Sequence, residues 1–198
     1  MITFGIVQTP KLPNSQMGQG RSLPLGELVG GSPFQTSTKS ISMNTQQQET
    51  IERLLGQPYC LVDILPYRVP ADSKGQYFEV EQYFLQPTQT AVLSQKFAHM
   101  LLRLNCYLQM DVVQFPGETS VTNPPPAQLR TWLSDCLSAR HPAIQTLFVL
   151  IPETESMFSI CQEDTYMTLY NPSPSLQRLA SQLAQAEGLF LWSPADGE

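Results

Sequence analysis

The sequence predicts an α+β fold: a single domain with a largely antiparallel or mixed sheet, about four helices packed on it, and a flexible N-terminal tail. Three observations predict it. Residues 144–151 form a continuous apolar run of strand length, as a central strand buried on both faces requires. Four other segments repeat apolar residues at helical spacing, yet helices and strands do not alternate strictly as βαβ units. Composition also breaks near residue 43. Residues 1–43 hold 6 of the 11 glycines and 4 of the 17 prolines, and their apolar residues keep no period.

The chain therefore divides into a Gly/Pro/Ser/Thr-rich tail, 1–43, and a globular domain, 44–198. Such a tail cannot bury enough apolar area to offset chain entropy. It begins with no basic n-region and only a short apolar run, so it does not read as a signal peptide. Pro10-Lys-Leu-Pro13 matches PxxP, a cheap match in any Pro-rich stretch. Met43 opens directly into the first helix signal and reads as an alternative natural start.

Within the domain, Thr45-Gln-Gln-Gln48 has capping-box form and Gly56 fits a stop, giving a helix at 45–55. Tyr59–Leu65 is β-rich and ends at Pro66. After a turn at 70–75, residues 76–85 read as a second strand, with Phe78, Val80 and Phe84 on one face and Glu79, Glu81 and Tyr83 on the other. The two strands are expected to pair antiparallel. A helix follows Pro87, capped by Thr88 or Thr90, with Val92, Leu93, Phe97, Met100, Leu101, Leu104 and Leu108 at helical spacing.

A short strand from Met110 to Phe115 stops at Pro116-Gly117. Asn123-Pro-Pro-Pro126 launches a third helix with Leu129, Trp132, Leu133, Cys136 and Leu137 inward, ending at His141-Pro142. After the central run come two alternating segments, Met157–Cys161 and Tyr166–Tyr170, that read as a hairpin. Ser173-Pro174 caps and starts a fourth helix, and Leu189–Trp192 is a last short strand suited to a sheet edge.

Charge narrows function. The chain carries 17 acidic and 11 basic residues, a net of −6. Lys11, Arg21 and Lys39 against Glu27 make the tail +2, which leaves 8 basic and 16 acidic residues, net −8, for 44–198. That balance argues against nucleic acid and anionic membranes as partners. No apolar stretch approaches the ~20 residues of a membrane span.

Motifs for chemistry are missing. GxGxxG, GxSxG, a Walker lysine motif and HExxH do not occur. Cys60, Cys106, Cys136 and Cys161 form no CxxC pair and sit on apolar segments, so they read as buried small hydrophobes in a reducing cytoplasm. His99 lies about 10 Å along its helix from Cys106, too far for a dyad. No cofactor is implied.

Three functional expectations follow. The first is a non-catalytic cytoplasmic binding protein, adaptor, accessory or inhibitor-like, with an acidic surface for a basic protein. Its candidate residues are Glu153, Glu155, Glu163 and Asp164, in turns around the hairpin, with Tyr77, Tyr83, Tyr166 and Tyr170 as possible aromatic anchors. The second is a metal-dependent hydrolase in which strand-borne Asp63, Glu79, Glu81 and Asp111 converge on a divalent cation. Self-association through the edge strand Leu189–Trp192 is a third expectation.

Overall fold

A computed structural model of the chain describes residues 41–116, 119–138, 144–162 and 164–194. The expected tail, up to residue 40, lies outside the described residues, as do His141 and Glu163. The elements run β1 (Ile41–Ser42), α1 (Thr45–Leu55), β2 (Tyr59–Asp63), α2 (Tyr77–Phe84), α3 (Pro87–Leu104), β3 (Asp111–Pro116) and β4 (Thr119–Thr122). Then follow α4 (Pro126–Leu137), β5 (Ile144–Ile151), a 3₁₀ turn at Pro152–Thr154, β6 (Ser156–Cys161), β7 (Met167–Tyr170), α5 (Pro174–Ala186) and β8 (Phe190–Trp192). The eight strands form one sheet in the order β1-β4-β3-β5-β6-β7-β2-β8, and every pairing is antiparallel.

β5 sits inside the sheet, between β3 and β6. All its residues but Gln145 are buried. Alternation sends Leu147, Val149 and Ile151 to one face, where they join Val62, Val112, Phe158, Ile160, Met167 and Leu169 in the main core. From the helices, Phe97, Leu101 and Leu104 of α3, Leu129 and Leu133 of α4, and Leu176, Ala180 and Ala184 of α5 close that core. Val113, Phe148, Leu150 and Met157 fall on the other face and are also buried. There α1 lies against β6, burying Ile51 and Leu54, and Gln47 Nε2 donates to Ser120 Oγ of β4 at 2.8 Å.

Two sequence signals hold with small shifts. The capping box of α1 sits one residue earlier than expected. Asn44 accepts from the Gln47 N–H at 2.7 Å, and the Gln47 side chain accepts from the Asn44 N–H. Asparagine outranks threonine at this position. α3 starts at Pro87 but takes no side-chain cap; Thr90 Oγ1 donates instead to the carbonyls of Phe84 and Gln86. α5 begins as expected, with Ser173 accepting from the Leu176 N–H.

Two expectations fail. Residues 76–85 form a helix, α2, so β2 has no strand partner there and pairs with β7 and β8 instead. β4 is an element the sequence reading missed: Thr-Ser-Val-Thr folds back on β3 as a hairpin.

α3 and α5 are joined by charge as well as by core. The Glu187 carboxylate, 11 % exposed, meets Arg103 Nη1 at 2.6 Å and His99 Nδ1 at 3.2 Å. The sequence marks Glu187 only as a helix stop. Because both partners are about half exposed, the pair is partly screened. Glu187→Ala is expected to cost about 1–2 kcal/mol in urea unfolding, the range of a charge-assisted bond with one buried partner. An unchanged midpoint would refute this role.

Candidate functional site

The acids expected to act together do not form one group. Glu153 lies in the turn between β5 and β6, where its carboxylate accepts from the Gln109 N–H at 3.0 Å. Glu155, at φ 48°, pairs with Arg53 at 3.5 Å. Asp164 follows β6, at the other end of that strand. Six residues of strand, roughly 20 Å, separate the two ends. The hairpin acids thus divide between opposite edges of the fold.

The strand-borne carboxylates do not converge either. Asp63 ends β2 and Asp111 begins β3, four strand positions apart, or about 19 Å. Glu79 and Glu81 sit on a helix, where a two-residue step turns about 200° and points them to opposite sides. The face that period-two reading gave them does not exist. Among the described residues, no group of three or more His, Cys, Asp or Glu is placed to hold a metal ion.

What the fold does assemble is a cluster under α2. The inward face of the helix carries Tyr77, Glu81 and Phe84, spaced i, i+4 and i+7. Tyr77 Oη donates to Glu81 Oε1 at 3.0 Å. Burial pushes the Tyr77 phenol up to about 12, helped by Glu81 and by the charges of Asp63 and Asp164. Tyr166 rises too, from burial first and then from Asp164. Thus Asp63 from β2, Asp164 and Tyr166 from the β6–β7 turn, and Tyr77 and Glu81 from α2 share one electrostatic neighbourhood.

Asp63 is the buried member, 8 % exposed. Its carboxylate accepts from the Leu65 N–H at 3.3 Å and makes no ion pair with a described residue. Burial raises its pKa; the Leu65 and Ile64 N–H groups and the neighbouring Trp192 indole oppose that rise, and Glu81 adds to it. The indole N–H of Trp192 is buried and closes no hydrogen bond of normal geometry, so its influence on Asp63 is one of proximity.

The outward face of α2 is mixed, with Glu79 and Gln82 at its centre and Phe78 and Tyr83 to either side. None of its eight residues is buried. Phe78 is 68 % exposed and Tyr83 48 %, and Tyr77, Val80 and the preceding-loop Tyr67 are also open. Of the four tyrosines expected as anchors, only Tyr83 lies on this surface; Tyr77 belongs to the inward face and is partly open at its rim, Tyr166 is half-buried and Tyr170 is buried in the sheet. Phe78 is the anchor the strand reading hid, because period two assigned it to a core face.

The cysteines differ from one another. Cys60 and Cys136 are buried, as expected, and Cys161 is half-buried. Cys106 is exposed, past the end of α3, and departs from the expectation. Burial lifts the Cys136 thiol to about 12 and the Cys161 thiol to about 11.

Two outcomes follow from these environments. Asp63 has a folded pKa above its unfolded one, so its contribution is fully present below the unfolded value and fades as pH rises through the folded value. Asp63→Asn should therefore gain stability relative to the parent from pH 4 to neutrality, in urea titrations across that range. A difference that does not vary with pH would contradict the assignment. A thiol reagent at pH 8 should label Cys106 first in the folded protein, and Cys106→Ser should remove that fast phase; labelling of Cys136 at a similar rate would refute it. No protein-family model, curated protein or solved structure matches the chain.

Proposed function

We propose that this chain is a non-catalytic binding protein that docks a basic protein on α2. The observation that supports the reading most strongly is the helix itself: eight residues, none buried, with Phe78 and Tyr83 outward beside Glu79. A surface of open aromatics ringed by acids has the makeup of an interface anchor, since aromatic side chains supply much of the energy at protein contacts. Glu79 and Glu81 sit on the helix itself, and the charges of Asp63 and Asp164 reach its Tyr77, which gives the field its sign. Glu153 and Glu155, at the other end, serve local contacts and are not part of the docking surface.

A negative field around an apolar anchor speeds encounter with a positive partner and excludes acidic ones. Cys106, Cys136 and Cys161 are thiols outside any disulfide, which suits a reducing compartment, so the proposed setting is cytoplasmic.

The full chain, immobilised in native lysate, should retain a basic protein identifiable by mass spectrometry. Retention should fall as salt rises. Phe78→Ser with Tyr83→Ser should weaken it about tenfold or more, the size of a hot-spot loss, and Glu79→Gln should increase its dissociation modestly. All three residues are exposed and outside the core, so the urea midpoint of the domain should stay unchanged even where loss of the ring pairs loosens α2. Retention that ignores salt and both sets of substitutions would overturn the proposal.

A further inference from the structure

Among the described residues the sheet ends at β8, which pairs with β2 on one side only. Phe190-Leu191-Trp192 carries no charge and no proline, and Phe190 is 41 % exposed. Natural sheets blunt their edges by shortness, charge, proline or bulges, because an open edge presents main-chain donors and acceptors to any extended chain. β8 is short, three residues before Ser193-Pro194, but it carries no charge or bulge of its own.

Beside it runs a groove of about 440 Å³, lined by Pro174, Gln177, Arg178 and Ser181 of α5 and by Leu191 of β8. The spacing of the α5 residues puts them along one face of the helix. Leu191 pairs with Val62 and so points to the helix-covered side of the sheet. A strand added outside β8 would therefore send alternate side chains into this groove. Among the described residues Arg178 is the only ionisable group lining it, and it makes no ion pair with any of them.

We infer that the β8–α5 groove binds an extended peptide by strand addition, with a carboxylate side chain of the peptide against Arg178. Main-chain bonds to β8 supply affinity and the groove supplies selection, as in other strand-addition modes. Arginine offers a planar, two-pronged donor set that matches a carboxylate. A second copy of this chain is the weaker occupant. Self-pairing of β8 would bring residues from Leu189 to Ser193 toward the facing Arg178, and none of them is acidic. It would also bring together two domains that each carry net −8 over residues 44–198. The groove is separate from the α2 surface, and this inference does not rest on that one.

A displayed library of random dodecapeptides selected on the full chain provides the probe, followed by fluorescence polarisation with the best synthetic peptide. Enriched peptides should carry Asp or Glu at one fixed position within an alternating stretch. Arg178→Glu should weaken binding at least tenfold, and replacing the peptide acid with Lys should restore it on that variant. Amide exchange of those β8 N–H groups that point away from β2 should slow when the peptide binds, which a purely helical contact would not cause. Four results would overturn the inference: no enrichment, enrichment without an acid, binding indifferent to Arg178→Glu, or β8 protection in the chain alone accompanied by a dimer in sedimentation.

Discussion

One strand must be covered on both faces, and the rest of the fold answers to that requirement. β5 buries Ile144, Leu147, Phe148, Val149, Leu150 and Ile151. Each such side chain contributes about 1.5–3 kcal/mol when fully removed from water. Leaving either face open would forfeit roughly half of that gain. Its main chain must also be paired along both edges, because a buried N–H or C=O without a partner costs free energy. β3 and β6 meet that need. α3, α4 and α5 cover one face, and α1 lies on the other. The order of elements in the chain is one way to bring three helices to one side of an antiparallel sheet.

The periphery is where that demand fades. The sheet narrows to a two-residue strand at β1 and a three-residue strand at β8. α2 lies between β2 and α3 without a buried residue. A helix of eight residues is too short to be stable on propensity alone. Its local supports are the Tyr77–Glu81 bond one turn apart, Glu79 in the first turn, and edge-to-face ring pairs of Tyr77 with Phe78 and Tyr83 with Phe84. A stretch held by local contacts, with its apolar groups toward solvent, is free to serve binding without disturbing the core.

How much was legible follows the same division. Where a core face imposes its period, the sequence locates elements almost to the residue: 45–55 for α1, 144–151 for β5, and Ser173 as the cap of α5. Where no core face exists, period is a false guide. Tyr-Phe-Glu-Val-Glu-Gln-Tyr-Phe alternates and is rich in β-formers, so it imitates a half-buried strand. Only the i, i+4 relation of Tyr77 to Glu81 marked the helix, and it is one weak pair. The error propagated into chemistry, because Glu79 and Glu81 share a face only in a strand. Thr119–Thr122 was lost for a different reason: four residues at the margin of the sheet carry too little pattern to stand out from loop. The cluster around Asp63 needed tertiary structure, since its members come from β2, α2 and the β6–β7 turn.

Net charge is a poor locator for the same physical reason. Sixteen acids against eight bases in 44–198 suggested one acidic surface, but the acids have unequal work to do. Glu153, Glu155, Asp111 and Glu187 are held by Gln109, Arg53, Thr122 and the Arg103–His99 pair, respectively. Asp63 and Glu81 make no ion pair with a described residue; Asp63 accepts from main-chain N–H groups, Leu65 among them, and Glu81 from Tyr77. The field that a partner senses comes from acids not neutralised locally, within a screening length of about 8 Å. Asp63 and Leu191 point to opposite faces of the sheet, since Leu191 pairs with Val62 and its neighbour Asp63 turns the other way. A molecule that is acidic on average can therefore present a carboxylate cluster on one side of its β2–β8 edge and the guanidinium of Arg178 on the other, so the two sides carry fields of opposite sign.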